Sequence, residues 1–599
     1  MNKKEYIRNT KRKMLSLLLT AALVLMLIPS ETVTAAYSFL GSGTSSTDPY
    51  IITTKAQLDE LASAVNDGND FGGCYLELGN NITFSGSWTP IGNLYCSFGG
   101  TFDGNGYTIS GLSIGSNTQY NSSFSYAGLF GNVSTSATIK NLNLSVSIYS
   151  EASSSTIGAL AGYSDGKIVN CTSSGIISAS GTYVGGLIGY VNSGSIIGSS
   201  SSCAVTNTDD GAYVGGLIGE SLGVAVNSYA AGNVTAGNSG YVGGFAGQNY
   251  SALSCYSTGT ITVNGSMSNT LAVGGFTGID AGGYVFNCYS SGSVSVSTLT
   301  SLSEHTLYIG GFDGIEQAAY MSNSFSSIST ITTPSDSTNI TVNAGRFTGE
   351  LAGNYTNCYD NNSLSFSANG SSAGTTYTGS ATALSTAVFG GTAASIFFTT
   401  DGSSTATASS LVTALNGGRA AFLSSGTSPS AILGSSPFSG YTPMFWENGT
   451  AGHPICSSLA KIAVTSTSAS LGLASPFGGD NASIAIYKAN DATASSGTDI
   501  TSDANTMILS SGDAVTISNL NSAEIYYYYV IFTNSSGDIY TSEVVSVETT
   551  PALNHAPTLS VTPLTGLTLL YGASNGSQLF TKVTAGIGAG DGSGSGIQH

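Results

Sequence analysis

The chain has 599 residues, of which 41% are hydrophobic and only 8% charged, with 14 basic against 33 acidic side chains and a net charge of −19. That is too apolar for a disordered chain, and the scarcity of cations leaves no basic stripe for nucleic acid or anionic lipid. The length allows two or three domains and a sizeable core.

The N-terminus carries Lys3, Lys4, Arg8, Lys11, Arg12 and Lys13 ahead of an apolar run from Met14 to Ile28 and the small residues Val33-Thr34-Ala35. This predicts a secretory signal over residues 1–35, whose apolar run is too short to span a bilayer, and hence a secreted or cell-surface protein with no membrane insertion after cleavage. Eight cations then face 31 acids in the remainder.

Residues 41–126 read as an N-terminal cap with the first coils of a repeat. Thr54-Lys-Ala-Gln57 has the form of a capping box, and Leu58, Leu61, Ala62 and Val65 form the apolar stripe of a helix ending near Asn66 and Gly68.

Residues 127–378 are repetitive. The phrases Ala127-Gly-Leu-Phe-Gly131, Gly158-Ala-Leu-Ala-Gly162, Gly185-Gly-Leu-Ile-Gly189, Gly215-Gly-Leu-Ile-Gly219, Gly243-Gly-Phe-Ala-Gly247, Gly274-Gly-Phe-Thr-Gly278, Gly310-Gly-Phe-Asp-Gly314 and Gly345-Arg-Phe-Thr-Gly349 start 31, 27, 30, 28, 31, 36 and 35 residues apart. A period near 30 marks a solenoid, whose units bury their apolar faces only against one another. A second phrase recurs as Ile168-Val-Asn-Cys171, Val226-Asn-Ser-Tyr229, Leu253-Ser-Cys-Tyr256, Phe286-Asn-Cys-Tyr289, Ser322-Asn-Ser-Phe325 and Thr356-Asn-Cys-Tyr359. Period-two alternation around these phrases, as in Gly292-Ser-Val-Ser-Val296, predicts strands rather than helices. Eight coils about 4.8 Å apart make a rod about 40 Å long, whose raw ends need caps.

Residues 379–457 read as the closing cap, with a short helix at Leu411-Val-Thr-Ala-Leu415 followed by Phe445-Trp446 and Gly452-His-Pro-Ile455. From about Ile462 to Thr550, well-separated strands such as Ala482–Tyr487, Ala514–Ile517, Tyr526–Phe532 and Glu543–Val547 predict a β-sandwich. Residues 551–599 read as a linker or an incomplete module. The fold class expected is all-β: a parallel β-helix solenoid with capping helices, followed by a sandwich.

The segments Tyr183-Val-Gly-Gly-Leu-Ile-Gly-Tyr190 and Tyr213-Val-Gly-Gly-Leu-Ile-Gly219 resemble the GLUG repeat of bacterial surface proteins, including some IgA-specific metallopeptidases. The flanks Asp48-Pro-Tyr-Ile-Ile52, Trp88-Thr-Pro-Ile-Gly92 and Gly100-Thr-Phe-Asp-Gly-Asn-Gly-Tyr-Thr-Ile109 are similar to the segment that precedes such repeats. The resemblance covers roughly residues 41–456 and implies a right-handed parallel β-helix on an exported, often adhesive protein. It implies no reaction: none of His305, His453, His555 and His599 precedes a Glu, so no zinc motif of the H-E-x-x-H type is present. Residues 462–550 resemble a fibronectin type III module.

No cofactor or metal is expected. The recurring glycines are read as packing and turning residues, since a phosphate loop is built once, beside a helix. Cys171, Cys255, Cys288 and Cys358 share one position of the second phrase and are expected to stack as a ladder of small apolar side chains, with Cys74 and Cys96 the pair best placed for a disulfide. Asn170, Asn227, Asn287, Asn323 and Asn357 suggest an amide ladder.

Tyr183, Tyr213, Tyr241 and Tyr308, about one per coil, are the candidate ligand-binding residues. They either line a face that stacks on sugar rings or pack across the coils. Asp209-Asp210, Asp280, Asp313 and Glu316 are the carboxylates a polysaccharide lyase or hydrolase would need. Asp280 and Asp313 fall at neighbouring positions, where a solvated pair is expected, and no catalytic residue is assigned. Were there a catalytic cleft, the two longest intervals, near His305 and Pro334, are where it should open. The function expected is adhesion to a glycan or to a protein of a host or neighbouring cell, by repeated weak contacts. A polysaccharide-degrading enzyme and a structural stalk for a further C-terminal domain are the alternatives.

Overall fold

In the computed structural model of the chain, the described residues run from 37 to 418 with short gaps at 153–154, 238–239, 302, 319, 335–338, 352–354, 369–374, 378–380, 386–394, 401–403, 412 and 416. Beyond 418 they are 459–473, 483–490, 497–500, 514–533, 539–541, 544–550, 558–561 and 583–586. The signal segment, the Phe445-Trp446 and Gly452–Ile455 motifs, and His453, His555 and His599 lie outside them.

The repeats form a parallel β-solenoid of about ten turns. One coil shows the path. Lys167–Val169 lies in sheet I, Thr172–Ala179 in sheet II, Tyr183–Gly185 in sheet III and Ile188–Val191 in sheet IV, and Ser195–Ile197 re-enters sheet I beside the start. Among the described residues sheet I has 11 strands, sheet III nine and sheet IV eight, all with parallel neighbours in each stack.

Side-chain alternation sends one column of each sheet inward. In sheet I, Ile139, Ile168, Ile196, Ala225, Ala252, Val285 and Met321 follow one another in register and are sealed from solvent. The third residue of each glycine phrase forms a second interior column, Leu129, Leu160, Leu187 and Leu217 and then Phe245, Phe276, Phe312 and Phe347. The four phenyl rings stack with centroids 4.7 to 4.9 Å apart. Each buried Leu or Phe contributes about 1.5–3 kcal/mol of transfer free energy.

The phrase glycines are required by close approach. A Cβ on Gly185 would collide with the Ile188 carbonyl oxygen, one on Gly186 with the Gly216 carbonyl of the next coil, and one on Gly189 with the backbone nitrogen of Ile157 in the preceding coil. Ser173, Ser257 and Ser290, pointing inward from sheet II, donate to the carbonyls of Gly186, Gly275 and Gly311 at 2.9, 2.6 and 2.6 Å, which ties sheet II across the lumen to the phrase.

The second phrase makes the turn from sheet I into sheet II. Asn141, Asn170, Asn227, Asn287, Asn323 and Asn357 all have φ between 51° and 61°, with Gly198 and Ser254 at the same corner of their coils. Asn adopts the left-handed region more readily than other non-glycine residues, and this conformation is why it recurs. The amide ladder is real but segmented: Asn323 donates to Asn287 at 2.8 Å, Asn287 to Ser254 at 3.0 Å and Asn141 to Asp103 at 3.0 Å, with Gly198 as the break.

Next in the chain, Cys171, Ser199, Ser228, Cys255, Cys288, Ser324 and Cys358 occupy one buried column. The Cys171 N–H donates to Ser199 Oγ at 3.0 Å, and the Cys288 N–H to Ser324 Oγ at 3.1 Å. Cys and Ser therefore serve the same role, and the column needs no oxidation. Cys74 and Cys96 are also free thiols, and Cys96 Sγ contacts the Asn66 carbonyl at 3.5 Å instead of a second sulfur.

At the N-terminal end the helix α1, Lys55–Asn66, follows the first strand Tyr50–Ile52 as the sequence predicts. Thr54 and Gln57 form the reciprocal capping box, and Leu58, Leu61, Ala62 and Val65 are buried. Part of the segment expected to close the other end is described. Thr382–Leu384 extends sheet II, but the hairpin Ile396–Thr400/Ser404–Ala408 and the helical residues Leu411, Ala414 and Leu415 share one buried cluster with Tyr256, Tyr289, Phe325 and Tyr359. Those four rings, with Tyr229, point outward from sheet II and stack with centroids 4.7 to 5.1 Å apart from Tyr229 to Phe325. These described residues therefore pack along the flank of the solenoid, over the aromatic column.

The C-terminal module has two antiparallel sheets. One joins Leu459–Val464, Ser468–Leu473 and Ala514–Ser518, and the other Gly497–Asp499, Ser483–Ala489, Ile525–Thr533, Ile539–Thr541 and Val545–Glu548. Tyr526, at the start of its strand, accepts the Asn521 N–H at 2.8 Å, the tyrosine corner of sandwich folds.

Candidate functional site

The outward columns of sheets III and IV form one tyrosine-rich face. Sheet III presents Tyr126, Thr156, Tyr183, Tyr213 and Tyr241 in register, then Ala272 and Tyr308. Sheet IV adds Tyr163 and Tyr190, followed by Glu220, Gln248, Ile279 and Ile315. Six rings, Tyr126, Tyr163, Tyr190, Tyr183, Tyr213 and Tyr241, make an unbroken chain of contacts with centroids 4.9 to 5.5 Å apart, over about 19 Å of the rod.

Three of the four tyrosines singled out in the sequence belong to this chain. Tyr308 does not: Ala272 stands between it and Tyr241, and both rings pack on Ala272, Ile279 and Ile315. The members not anticipated are Tyr126, in the first strand of sheet III, and Tyr163 and Tyr190, whose signal was an aromatic directly after the last glycine of a phrase.

Tyr183, Tyr213 and Tyr241 lie at 24° to 26° to one another, so ring faces are spent on neighbouring rings. What the surface offers is ring edges and hydroxyls, all six tyrosines being half-buried. The polar groups among them are acidic or neutral. Glu220 is buried beside Tyr183 and accepts from Gln248 at 3.0 Å, and Asp165 accepts from Asn192 and Ser193 at 2.8 and 2.7 Å. Burial, reinforced by these carboxylates, pushes the Tyr163 and Tyr183 hydroxyls up to about 12. Burial also raises Glu220, against the Tyr183 hydrogen bond.

The carboxylates considered for catalysis are arranged otherwise than expected. Asp280 and Asp313 do approach each other, but they are not solvated: both, with Glu316, are fully buried inside the solenoid. The reason is their register in sheet IV, where Asp280 continues the inward column of Val191 and Asn249, and Asp313 that of Ala246 and Thr277. Asp209 is half-buried and Asp210 exposed, in a turn several coils away. The described residues around His305 also go into strands: Ser293–Ser301 and His305–Gly310 are extended and pair with neighbours, His305 opposite Ile340. Among the described residues there is no group of three or more His, Cys, Asp or Glu arranged to hold a metal ion.

No protein-family model matches the chain. It is similar to halomucin of Haloquadratum walsbyi, 33% identical over 175 residues, which are 28% of this chain and 2% of halomucin. It is also similar to a protein of Evansella cellulosilytica described as a Gly-rich membrane protein, 33% identical over 140 residues, 22% of this chain and 15% of that one. The chain thus spans a small fraction of either relative. Among solved structures, a fibronectin type-III domain of human fibronectin type III domain containing protein 3 is 23% identical and covers 17% of this chain and 88% of that domain, at a TM-score of 0.13. Among the described residues no helix is long and apolar enough to cross a membrane.

Proposed function

We propose that the protein is an exported, cell-surface or secreted adhesin-like protein that engages a glycan or a protein of a neighbouring or host cell by repeated weak contacts. The observation that carries this reading is the six-tyrosine face. Near-identical rungs present near-identical hydroxyls about 4.8 Å apart, so a polymeric ligand gains affinity by multivalency without a pocket. Because the ring faces are occupied, the contacts are hydrogen bonds to tyrosine hydroxyls and ring edges, rather than sugar rings laid on aromatic planes.

Similarity to a Gly-rich membrane protein is consistent with a surface location, as is the basic-then-apolar leader of residues 1–35. The repeats are read as GLUG-type, on the strength of the recurring phrase, and the C-terminal module as fibronectin type III-like, supported by its tyrosine corner. The role is read as non-catalytic, a reading supported by the burial of Asp280, Asp313 and Glu316 away from solvent.

The test is a glycan array and a cell-wall pulldown with the purified chain, beside a Tyr183→Ser, Tyr213→Ser, Tyr241→Ser variant. Polymer retained intact, and lost in the variant, is the expected result. Shortened polymer would establish an enzyme. The self-stacking of the rings favours a second reading, a stalk that only presents other modules, and absence of any retention would select it.

A further inference from the structure

The buried carboxylates of the last coils pose a charge problem that the fold must solve. Asp280 and Glu316 sit on adjacent rungs above Asn249, and Asp313 sits between Thr277 and Thr348. All six side chains are sealed from solvent. Thr277 Oγ1 donates to Asp313 at 2.6 Å, and Asn249 Nδ2 to Asp280 Oδ1 at 2.8 Å. The other titratable groups facing the cluster are the thiols of Cys288 and Cys358 from sheet II, which are neutral while protonated. Neither Asp280 nor Asp313 belongs to the ion pairs Lys55–Asp59, Lys140–Asp103 and Arg346–Asp360.

Asp280 Oδ2 and Asp313 Oδ2 are both sealed inside the solenoid and accept from no donor among the described residues. Ionised carboxylates only accept, and two of them left without donors in a sealed lumen are costly, whereas a proton on one lets it donate to the other. We propose that Asp313 carries this proton and donates it to the Asp280 carboxylate, making the distal coils a proton-linked segment whose packing tightens as the medium becomes mildly acidic. Earlier coils hold Ile188, Ile218 and Ala246 in the Asp313 column and Val191 in the Asp280 column, so the device belongs to the last coils.

The sign follows from the burial. Burial raises Asp280 to about 6 and Asp313 well above its ordinary value, with the Asp280 charge adding to the latter. An unfolded carboxyl titrates near about 4. The folded state therefore binds protons more tightly than the unfolded one, and stability is highest at low pH and falls as pH rises through about 6.

The test is thermal unfolding of the full chain between about pH 5 and about pH 8 for the wild type, Asp280→Asn/Asp313→Asn, and an exposed, charge-matched control, Asp67→Asn/Asp210→Asn. The control separates this pair from the general relief of self-repulsion in an acidic chain. The expected result is a Tm that falls with rising pH in wild type and control, and a flatter profile in the Asp280/Asp313 variant. A variant that keeps the wild-type slope overturns the proposal. Infrared spectroscopy of the wild type gives a measurement independent of variant folding. A protonated-carboxyl band that persists at about pH 7.5 supports the shared proton, while its absence, or a calcium-dependent rise in wild-type Tm, overturns it in favour of a bound cation.

Discussion

Arg346 Nε lies 2.8 Å from Asp360 Oδ1, and the two residues replace a glycine and a serine that recur at these positions in the coils before them. Gly186, Gly275 and Gly311 cannot carry a side chain because the next phrase's backbone blocks it. Among the described residues the last strand of sheet IV is Thr348–Leu351, and the Arg346 side chain reaches Asp360 in the following rung of sheet II, beside Ser326. Asp360 is fully buried, so removing its partner leaves an uncompensated charge. Arg346→Gly is expected to cost about 3–5 kcal/mol. The double variant Arg346→Gly/Asp360→Ser, which restores the residues of earlier coils, should recover most of that loss in urea unfolding.

The corner residues make a second prediction. Gly198 has φ 57° where neighbouring coils place Asn, and it interrupts the amide ladder between Asn170 and Asn227. Gly198→Asn keeps the left-handed backbone, lowers the entropy of the unfolded chain and adds an amide to the column. A gain of about 0.5–1 kcal/mol is expected, measured as a raised urea midpoint. Asn227→Ala should lose about 1–2 kcal/mol, because alanine is strained at φ 51°.

The interior column gives a graded series. Phe276, between Phe245 and Phe312, occupies the position that earlier coils fill with Leu. Phe276→Leu should cost about 1 kcal/mol and Phe276→Ala about 3–5 kcal/mol by calorimetry, since the neighbouring rings are held by their own coils and cannot collapse into the void.

Alkaline titration reports on the tyrosine face. With Tyr163 and Tyr183 raised to about 12, the folded chain holds these protons more tightly than an unfolded one, whose phenols titrate near 10. Stability from these groups is present below about pH 10 and is lost as pH rises toward 12. Phenolate absorbance should therefore rise late, and Glu220→Gln should bring part of it to lower pH by removing the charge beside Tyr183.

Much of the architecture was legible because the phrases are backbone constraints that repeat. Gly185, Gly215 and Gly243 mark one turn of the chain each, and the capping box of Thr54 and Gln57 is a local device that needs no distant partner. The inward fate of Asp280 and Asp313 was not legible, because a one-residue change of register moves a strand residue from surface to lumen, and no local pattern fixes that choice for a polar side chain. The same limit hid Tyr163 and Tyr190, which join the tyrosine face only through the packing of sheet IV against sheet III. The flank position of the 396–418 segment follows from the outward rings Tyr256 to Tyr359, whose need for cover is invisible until their side of the strand is known.

The mixed column of Cys and Ser carries a consequence for the protein's lifetime. Cys171, Cys255, Cys288 and Cys358 are sealed from solvent while folded, and burial holds the Cys171, Cys288 and Cys358 thiols protonated. Once the coils separate in an oxidising medium, the same four sulfurs become partners for random cross-links, and each wrong pair bars the register from reforming. Durability outside a reducing environment is then set by how rarely the rod opens rather than by how readily it closes again, and one escape suffices to scrap the molecule.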